Sequence, residues 1–146
     1  MFPVQQFCTF FIDGEMFGAP VARVQEVIRH PAMTQVPLAP EFVAGMVNLR
    51  GQIVCAIDLR RRLLLRNRSA DQAPMSVVVR TNQGTISLLV DEIGDIIEVT
   101  ADVLESPPET LQGVARELIE GVYKVADRLL LALDVNRVVE VGEHEA

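Results

Sequence analysis

The sequence predicts a mostly β protein made of two similar, small, five-stranded barrels with short helices. Three observations support this prediction. A stretch of fifteen residues occurs twice, as Gly45–Leu59 and as Gly121–Val135. The chain has 6 Phe, 1 Tyr and no Trp, so Val, Leu and Ile must build the core, and this composition favours strands. Short apolar runs end repeatedly at turn residues, as is typical of small β barrels.

Within the repeat, a glycine, alternating apolar residues and an aspartate recur at the same places. Gly45 corresponds to Gly121, and Asp58 corresponds to Asp134. Each copy has the pattern of a strand, a tight turn, a second strand and an Asp that can cap a short helix. The two aspartates resemble a catalytic pair, but their equivalent positions in separate lobes indicate helix caps.

The repeat extends towards the N-terminus of each copy, because residues 21–28 align with residues 90–97. Each copy therefore has the order hairpin, short turn, strand, Pro-containing loop, hairpin and capped helix. Asp13-Gly14 marks the first hairpin, since Asp-Gly between apolar runs favours a tight β turn.

We predict a single domain over residues 6–141, with a first lobe at about 6–68 and a second lobe at about 74–141. The polar segment Asn67–Pro74 marks the boundary between the lobes. Exchange of strands between the lobes is compatible with the pattern and stays open. Residues 142–146 are polar, and we expect them to form a frayed tail.

The charge pattern argues against a nucleic-acid partner. The net charge is -7, and Lys124 is the only lysine among the 13 basic residues, whereas neutralising phosphates needs clustered Lys and Arg. We interpret the one basic cluster as a solvated helix face and the loop after it, with a patch for an acidic protein partner as the alternative. This cluster contains Arg60, Arg61, Arg62, Arg66 and Arg68.

No targeting or membrane segment is evident. The first fourteen residues, MFPVQQFCTFFIDG, have no basic region and no long apolar core, so they do not form a signal peptide. No apolar run approaches the roughly 20 residues of a membrane helix, so we expect no direct membrane insertion. Cys8 and Cys55 lie in apolar, strand-like runs and fit no zinc motif, which favours buried, unreactive thiols. These features predict a cytoplasmic protein.

Residues that could support catalysis or bind a metal are not arranged for either role. His30 lies in a surface-like stretch, and His144 lies in the tail. The sequence has no nucleophile elbow and no glycine-rich phosphate loop. We therefore predict no enzyme activity, no metal and no cofactor. One group of acidic residues alternates with isoleucines and indicates a solvated edge: Asp91, Glu92, Asp95 and Glu98.

The two copies of the repeat differ most at their tight turns. Asn48-Leu49-Arg50-Gly51 in the first copy corresponds to Lys124-Val125-Ala126-Asp127 in the second. Arg50 offers a planar group with several donors, and Gly51 leaves the backbone open to close approach. A turn sequence with no further role is the alternative. We interpret the difference as a recognition site in the first copy.

These residues resemble the CheW family, the adaptors of bacterial chemosensory arrays. The resemblance runs from about Gln6 to Val141, and the order of its motifs makes it specific. The upstream segment is Phe17-Gly18 with Val24-x-Glu26-Val27. The central signature is Gly45-x-Val47-Asn48-Leu49-Arg50-Gly51-x-Ile53-Val54, followed by Ile57-Asp58-Leu59. The second half contains Val90-Asp91-x-Ile93, Pro107-Pro108 and Ile119-x-Gly121.

The resemblance implies two SH3-like barrels and a non-enzymatic scaffold. Such a scaffold couples the cytoplasmic tip of a chemoreceptor to the histidine kinase CheA at membrane-associated receptor arrays. CheA carries a homologous domain, so the resemblance implies a contact of barrel against barrel, which can extend to other CheW-like domains in rings. The resemblance assigns no residues to the kinase contact.

Receptor contact in the family falls on the groove between the lobes. The resemblance implies that the apolar residues at these positions take the helical receptor tip, in a helix-in-groove mode, and that Glu26 and Arg50 set its register. The residues at the corresponding positions are Val24, Glu26, Val27, Gly45, Asn48, Arg50, Val90 and Ile93.

Two departures from the family pattern leave the pathway open. Cys55 stands where the family usually has Pro, and the segment after Asp58 is short and unusually rich in Arg. Flagellar, pilus-type and other chemosensory pathways are therefore alternatives. A generic β-barrel interaction module is a further alternative. A small enzyme or ligand-binding barrel would need a closed pocket with convergent polar groups.

Overall fold

A computed structural model describes residues 4–29, 31–100, 104–105 and 113–140. His30, His144, the Pro107-Pro108 loop and the tail 142–146 lie outside the described residues. Within the described ranges the strands are β1 (Val4–Ile12), β2 (Glu15–Pro20), β3 (Val24–Ile28), β4 (Met33–Thr34), β5 (Val43–Leu49), β6 (Gln52–Asp58), β7 (Met75–Thr81), β8 (Gly84–Val90), β9 (Glu92–Thr100), β10 (Leu104–Glu105), β11 (Ile119–Val125) and β12 (Arg128–Leu133). The helices are α1 (Leu59–Arg62), α2 (Val114–Glu117) and α3 (Val135–Val138), and a 3-10 turn spans Val21–Arg23.

The strands form two sheets with equivalent strand orders. Sheet A is ordered β10-β11-β12-β2-β1-β9, and sheet B is ordered β4-β5-β6-β8-β7-β3. One strand of each sheet, β10 or β4, has only two residues, so each sheet has five longer strands, as predicted. Neighbouring strands are antiparallel except β12 with β2 and β6 with β8, which are parallel.

The repeat seen in the sequence is also present in the strand register. Cys55 pairs with Ile86 in sheet B, and Leu131 pairs with Phe17 in sheet A at the equivalent place. The register shifts after Val43 in β5 and in the same way after Ile119 in β11. Equivalent residues of the two repeats therefore occupy equivalent positions in the two sheets.

Each repeat exchanges one strand with the other. β3 follows the β1–β2 hairpin but pairs with β7 in sheet B, and β9 follows the β7–β8 hairpin but pairs with β1 in sheet A. Sheet B is thus built from residues 24–90, and sheet A from the segments on both sides of it. The sheets are divided differently from the predicted lobe limits, 6–68 and 74–141, and they show the exchange that the sequence left open.

Local turn and cap signals in the sequence are confirmed. Asp13 and Gly14 join β1 to β2 with φ of 52° and 82°, the left-handed values that a tight hairpin turn requires. Asp58 caps α1 by accepting a hydrogen bond from the Arg60 amide at 3.0 Å. Asp134 caps α3 by accepting one from the Asn136 amide at 3.1 Å. Both aspartates are therefore structural.

Each sheet buries two faces. Each lobe has its own apolar cluster, around Val78 and Leu89 in sheet B and around Phe7 and Leu130 in sheet A. The larger, central cluster is shared by both sheets and the short helices. It is formed by Phe10, Ile12, Phe17, Ala19, Ile57, Leu59, Leu63, Val77, Val79, Ile86, Leu88, Val90, Leu118, Val122, Leu131, Leu133, Val135 and Val138.

Because the central cluster is shared, the two lobes should unfold together. We expect Leu88→Ala, in the fully buried part of this cluster, to lower the free energy of unfolding by about 2–5 kcal/mol. Leu64→Ala is the matched control, since Leu64 is 75% exposed, and it should change stability by less than about 0.5 kcal/mol. Calorimetry should show one transition for each protein. Separate transitions for two lobes would contradict a single domain over residues 6–141.

Candidate functional site

The turn between β5 and β6 presents Arg50 in a left-handed conformation. Arg50 has a φ of 50° and Gly51 a φ of 92°, which are values of a tight hairpin turn that residues other than Gly adopt rarely. The Asn48 Oδ1 atom accepts a hydrogen bond from the Gly51 amide at 2.9 Å. Ala126 begins the corresponding turn between β11 and β12 with a φ of 54°. The two turns thus share this backbone feature and differ in their side chains.

Arg50 forms an ion pair with Glu26. Glu26 lies on β3, at one edge of sheet B, and Arg50 lies in the turn between β5 and β6 of the same sheet. The ion pair therefore connects β3 with the β5–β6 turn, which are not neighbours in the sheet. The Arg50 side chain is 77% exposed, and exposed pairs contribute only about 0–1 kcal/mol. The Arg50 charge is therefore open to a partner, whereas the Glu26 side chain is only 23% exposed.

Three apolar residues of the predicted site lie at the boundary between the lobes. Val24 and Ile93 are half-buried and pack against the central cluster. Val27 is exposed, and its partner across the strands is Val77, which belongs to that cluster. Since paired residues of neighbouring strands share a face, Val27 continues the apolar boundary outwards to the surface.

Two other residues of the predicted site are buried. Val90 is 0% exposed and belongs to the central cluster, so the expectation of a direct receptor contact is wrong for Val90. Gly45 is buried, and a Cβ there would lie 2.6 Å from the Thr34 carbonyl oxygen. Its glycine is therefore explained by the close approach of β4 to β5.

Ile53 is an exposed apolar residue beside this surface that sequence reasoning did not assign to it. It pairs with Asn48 across the β5–β6 hairpin and is 58% exposed. The signal was present in the sequence, because side chains alternate between the two faces of a strand. Val54 and Ala56 point into the lobe, so the alternation places Ile53 outside.

We call the group Val24, Glu26, Val27, Asn48, Arg50, Ile53 and Ile93 the Arg50 surface. It combines one exposed ion pair with apolar side chains along the lobe boundary. Among the described residues, no group of His, Cys, Asp and Glu side chains is placed to hold a metal ion. In the same ranges, no helix is long and apolar enough to span a membrane.

Comparison with known proteins identifies the family. The family model described as a CheW-like domain matches residues 6–143. The chain belongs to the CheW-like family. The resemblance predicted from the sequence is thereby confirmed, and the protein is assigned to the chemotaxis adaptors.

Individual CheW-like relatives cover almost the whole chain. The chemotaxis protein CheW of Klebsiella aerogenes is 29% identical over 139 residues, which are 95% of this chain and 84% of that protein. The scaffolding protein TtCheW from Thermoanaerobacter tengcongensis has a similar crystal structure, with a TM-score of 0.85 at 26% identity, covering 96% of this chain and 95% of that chain. The two SH3-like lobes are confirmed by this likeness.

A relative with a different name also matches this CheW-like chain. The protein PilI of Pseudomonas aeruginosa is 27% identical over 114 residues, which are 78% of this chain and 64% of that protein. The likeness is consistent with the pilus-type alternative that the sequence left open.

The Arg-rich segment of this CheW-like chain is largely engaged with other parts of the protein. Arg60 is buried, as is the Arg68 side chain. The Arg62 guanidinium donates to the Val138 carbonyl at 2.8 Å and so holds the end of α3. Among these five residues only Arg66 is exposed, and Arg61 is half-buried. The prediction of a solvated face is therefore wrong for most of the cluster, and the same contacts argue against its use as a binding patch.

The buried arginines pair with Asp91, which has a full set of hydrogen bonds. Its Oδ1 atom accepts from Arg60 Nε and from Arg68 Nε, each at 2.9 Å. Its Oδ2 atom accepts from Arg60 Nη2 at 2.6 Å and from the Asp13 amide at 2.8 Å. The prediction of a solvated acidic edge is therefore wrong for Asp91. It is confirmed for Glu92, Asp95 and Glu98, which are exposed.

These contacts outweigh the effect of burial on the titration of Asp91. Burial alone would raise its pKa, but hydrogen bonds from Arg60, the Asp13 amide and Arg68 lower the pKa from 3.8 to about 2. Asp91 is therefore ionised at neutral pH and serves as the centre of an ion network. It is not a proton donor.

The two cysteines differ in burial. Cys8 is buried and Cys55 is half-buried, so the prediction of buried thiols is confirmed for Cys8 and only partly for Cys55. Burial raises the pKa of both thiols, which lowers the thiolate fraction and hence their reactivity.

Asp91 should stabilise the protein at neutral pH and lose this effect in acid. A carboxylate whose pKa is lowered by folding stabilises above its unfolded pKa, and this stabilisation is lost as the pH falls through the folded pKa. We expect Asp91→Asn to cost about 3–5 kcal/mol at neutral pH, because it leaves two buried guanidinium groups with Asp58 as their one buried carboxylate. The difference from the wild type should shrink between about pH 4 and about pH 2.

Urea unfolding at a series of pH values measures this difference directly. The matched control is Asp95→Asn, which removes an exposed carboxylate four residues along the chain and should leave the acid dependence almost unchanged. A constant difference between Asp91→Asn and the wild type across the whole pH range would contradict the assigned role.

Proposed function

We propose that the protein is a non-enzymatic adaptor that couples chemoreceptor cytoplasmic tips to a CheA-type histidine kinase in a chemosensory array. The observation that carries this proposal is the Arg50 surface on a CheW-like fold. There, an exposed ion pair lies beside apolar side chains at the boundary between the lobes. Such a surface suits a protein partner.

The positions of the carboxylates support a role without catalysis. Asp58 and Asp134 cap helices, and Asp91 is neutralised by two arginines. A general acid or base needs a carboxyl group that can reach a substrate and exchange a proton near the working pH. These three carboxylates are engaged in helix caps and in an ion network within the protein. We therefore propose an adaptor that needs no cofactor.

The Arg50 surface supports a helical receptor segment as the partner. An amphipathic helix binds by laying apolar residues along an apolar groove, and Val24, Val27 and Ile93 provide apolar side chains at the lobe boundary. Glu26 and Arg50 add one charge of each sign, which would fix the register of the helix. Val90 is buried in the central cluster, against which Val24 and Ile93 of this surface pack.

Family membership supports the remaining partners. CheW-like proteins join receptors to CheA, and we propose that this chain contacts a CheA-type kinase and other CheW-like domains in rings. We also propose a cytoplasmic location at membrane-associated arrays. The likeness to PilI favours a pilus-type pathway as the second candidate. A generic β-barrel interaction module would use the same surface for an unrelated partner.

Arg50 should contribute to receptor binding and not to stability. We expect Arg50→Glu to weaken co-sedimentation with receptor-containing membranes by about tenfold, because the charge is reversed at the register-setting pair. Arg50→Ala should weaken it less and leave the turn intact, since Ala126 adopts the same φ in the equivalent turn.

The control for charge reversal is Arg116→Glu, on the exposed face of α2, which should bind like the wild type. Thermal unfolding of all variants should stay within a few degrees of the wild type, as removal of an exposed ion pair costs about 0–1 kcal/mol. If Arg50→Ala melts well below the wild type, Arg50 is a structural residue and the assignment fails.

The pathway can be identified by capturing partners from the native host. We expect a tagged wild-type protein to recover a chemoreceptor and a CheA-type kinase, and mass spectrometry will show whether they belong to a flagellar or a pilus-type set. Arg50→Glu should recover less receptor. Recovery of neither partner by the wild type would refute the adaptor proposal.

A further inference from the structure

Asp91 lies where the chain crosses from one sheet to the other. It follows the last residue of β8 in sheet B and precedes the first residue of β9 in sheet A. Its amide donates to the Phe11 carbonyl of β1 at 3.0 Å. Any restraint on Asp91 therefore acts on the junction between the lobes.

The partners of Asp91 come from both lobes and from the polar segment after α1. Asp13, whose amide donates to the Asp91 carboxylate, lies in the β1–β2 turn of sheet A. Arg60 belongs to α1, which directly follows β6 of sheet B. Arg68 belongs to the polar segment, and its guanidinium lies between Asp91 at 2.9 Å and Asp58 at 3.3 Å. One carboxylate thus ties three separate segments together.

The equivalent crossing in the other repeat has no such charges. Ala22 occupies the place of Asp91, and Asn136 occupies the place of Arg60. There, the Asn136 Oδ1 atom accepts a hydrogen bond from the Asn82 amide at 2.8 Å. Asn82 holds the place in the β7–β8 turn that Asp13 holds in the β1–β2 turn. The turn amide is thus bound by a neutral side chain of α3 in one repeat, and in the other by a carboxylate that pairs with Arg60 of α1.

The strength of the ionic tie follows from its burial. The Asp91, Arg60 and Arg68 side chains are each less than 10% exposed, so moving any one of them apart leaves a charge without a partner in a poorly solvated place. Bidentate contact between a guanidinium and a carboxylate is also directional. Rotation of one lobe relative to the other would separate the Asp13 amide of sheet A from this buried carboxylate.

We propose that the Asp91–Arg60–Arg68 network sets the orientation of the two lobes, and that Arg68 is thereby a positioning residue for the Arg50 surface. Ile93 lies two residues beyond Asp91 on β9, whereas Glu26 and Arg50 lie in the other lobe. The distance between these groups depends on the angle at the crossing. The second half of this inference rests on the proposed receptor contact.

The geometry can be measured in the full-length protein with two spin labels. Keto amino acids at Gln52 and Asp127, which are exposed at the two equivalent hairpin turns, carry the labels and leave Cys8 and Cys55 unmodified. Pulsed dipolar spectroscopy then gives the distribution of distances between the lobes. Binding of unlabelled proteins to a receptor cytoplasmic fragment is measured in parallel.

We expect Arg68→Ala to broaden the distance distribution and to weaken receptor binding by about fivefold, a size common for changes that act on coupling. Arg68→Lys should restore most of both properties, since it keeps a cation between the two carboxylates. Arg66→Ala is the matched control, because Arg66 is exposed two residues before Arg68, and it should behave like the wild type.

The outcomes separate the two proposals. An unchanged distance distribution in folded Arg68→Ala overturns the positioning role, whatever happens to binding. A broadened distribution with unchanged binding overturns the link to the Arg50 surface. If the wild type itself does not bind the receptor fragment, the proposed function fails, while the distance measurements still test the lobe orientation. Circular dichroism of each variant establishes that it is folded.

Discussion

Both sheets of this protein bury one face in their own lobe and the other against the central cluster, and β3 and β9 each join the sheet opposite to the hairpin that they follow. Side chains in neighbouring positions of one strand can then enter different apolar clusters, as Val77 and Val78 do. The central cluster that results is larger than the cluster inside either lobe, so the lobes stabilise each other. The short helices and their aspartate caps pack on this shared core.

The crossings also determine where polar groups must be buried. At the crossing after β8, an aspartate is buried, and its charge is stabilised by two arginines and by the Asp13 amide. At the crossing after β2, Pro20 and a 3-10 turn carry the chain across without buried charges. The two repeats thus share one topology, but one crossing contains buried charges and the other does not. The Arg50 surface lies at the boundary that these crossings define.

Much of the fold could be predicted from local signals. Asp13-Gly14, Arg50-Gly51 and the caps Asp58 and Asp134 act on their immediate neighbours, so the pattern around each one is sufficient. The exchange of β3 and β9 could not be predicted in this way, because either sheet could accept either strand. The contacts of the whole molecule determine which sheet each strand joins. Local reasoning likewise placed Asp91 on a solvated edge, since its partners Arg60 and Arg68 come from distant parts of the chain.

The candidate site was predictable to a similar degree. Glu26 and Arg50 lie 24 residues apart in the sequence and form an ion pair. The sequence placed both residues on one surface but did not predict that they pair. Val90 was assigned to that surface by its position in a motif, but burial at the centre of the molecule removes it. Ile53 could have been recognised from strand alternation alone. Motif position thus predicts the region, and burial in the structure decides which of its side chains are available to a partner.

The arrangement of the sheets also affects the order in which they can form during synthesis. Sheet B is complete once residue 90 has been made, whereas the β1–β2 hairpin needs β9 and β12 from the last part of the chain. The hairpin that leaves the ribosome first is therefore the one that waits longest for its neighbours. Contacts so distant in sequence slow folding, and an apolar hairpin exposed meanwhile is prone to aggregate.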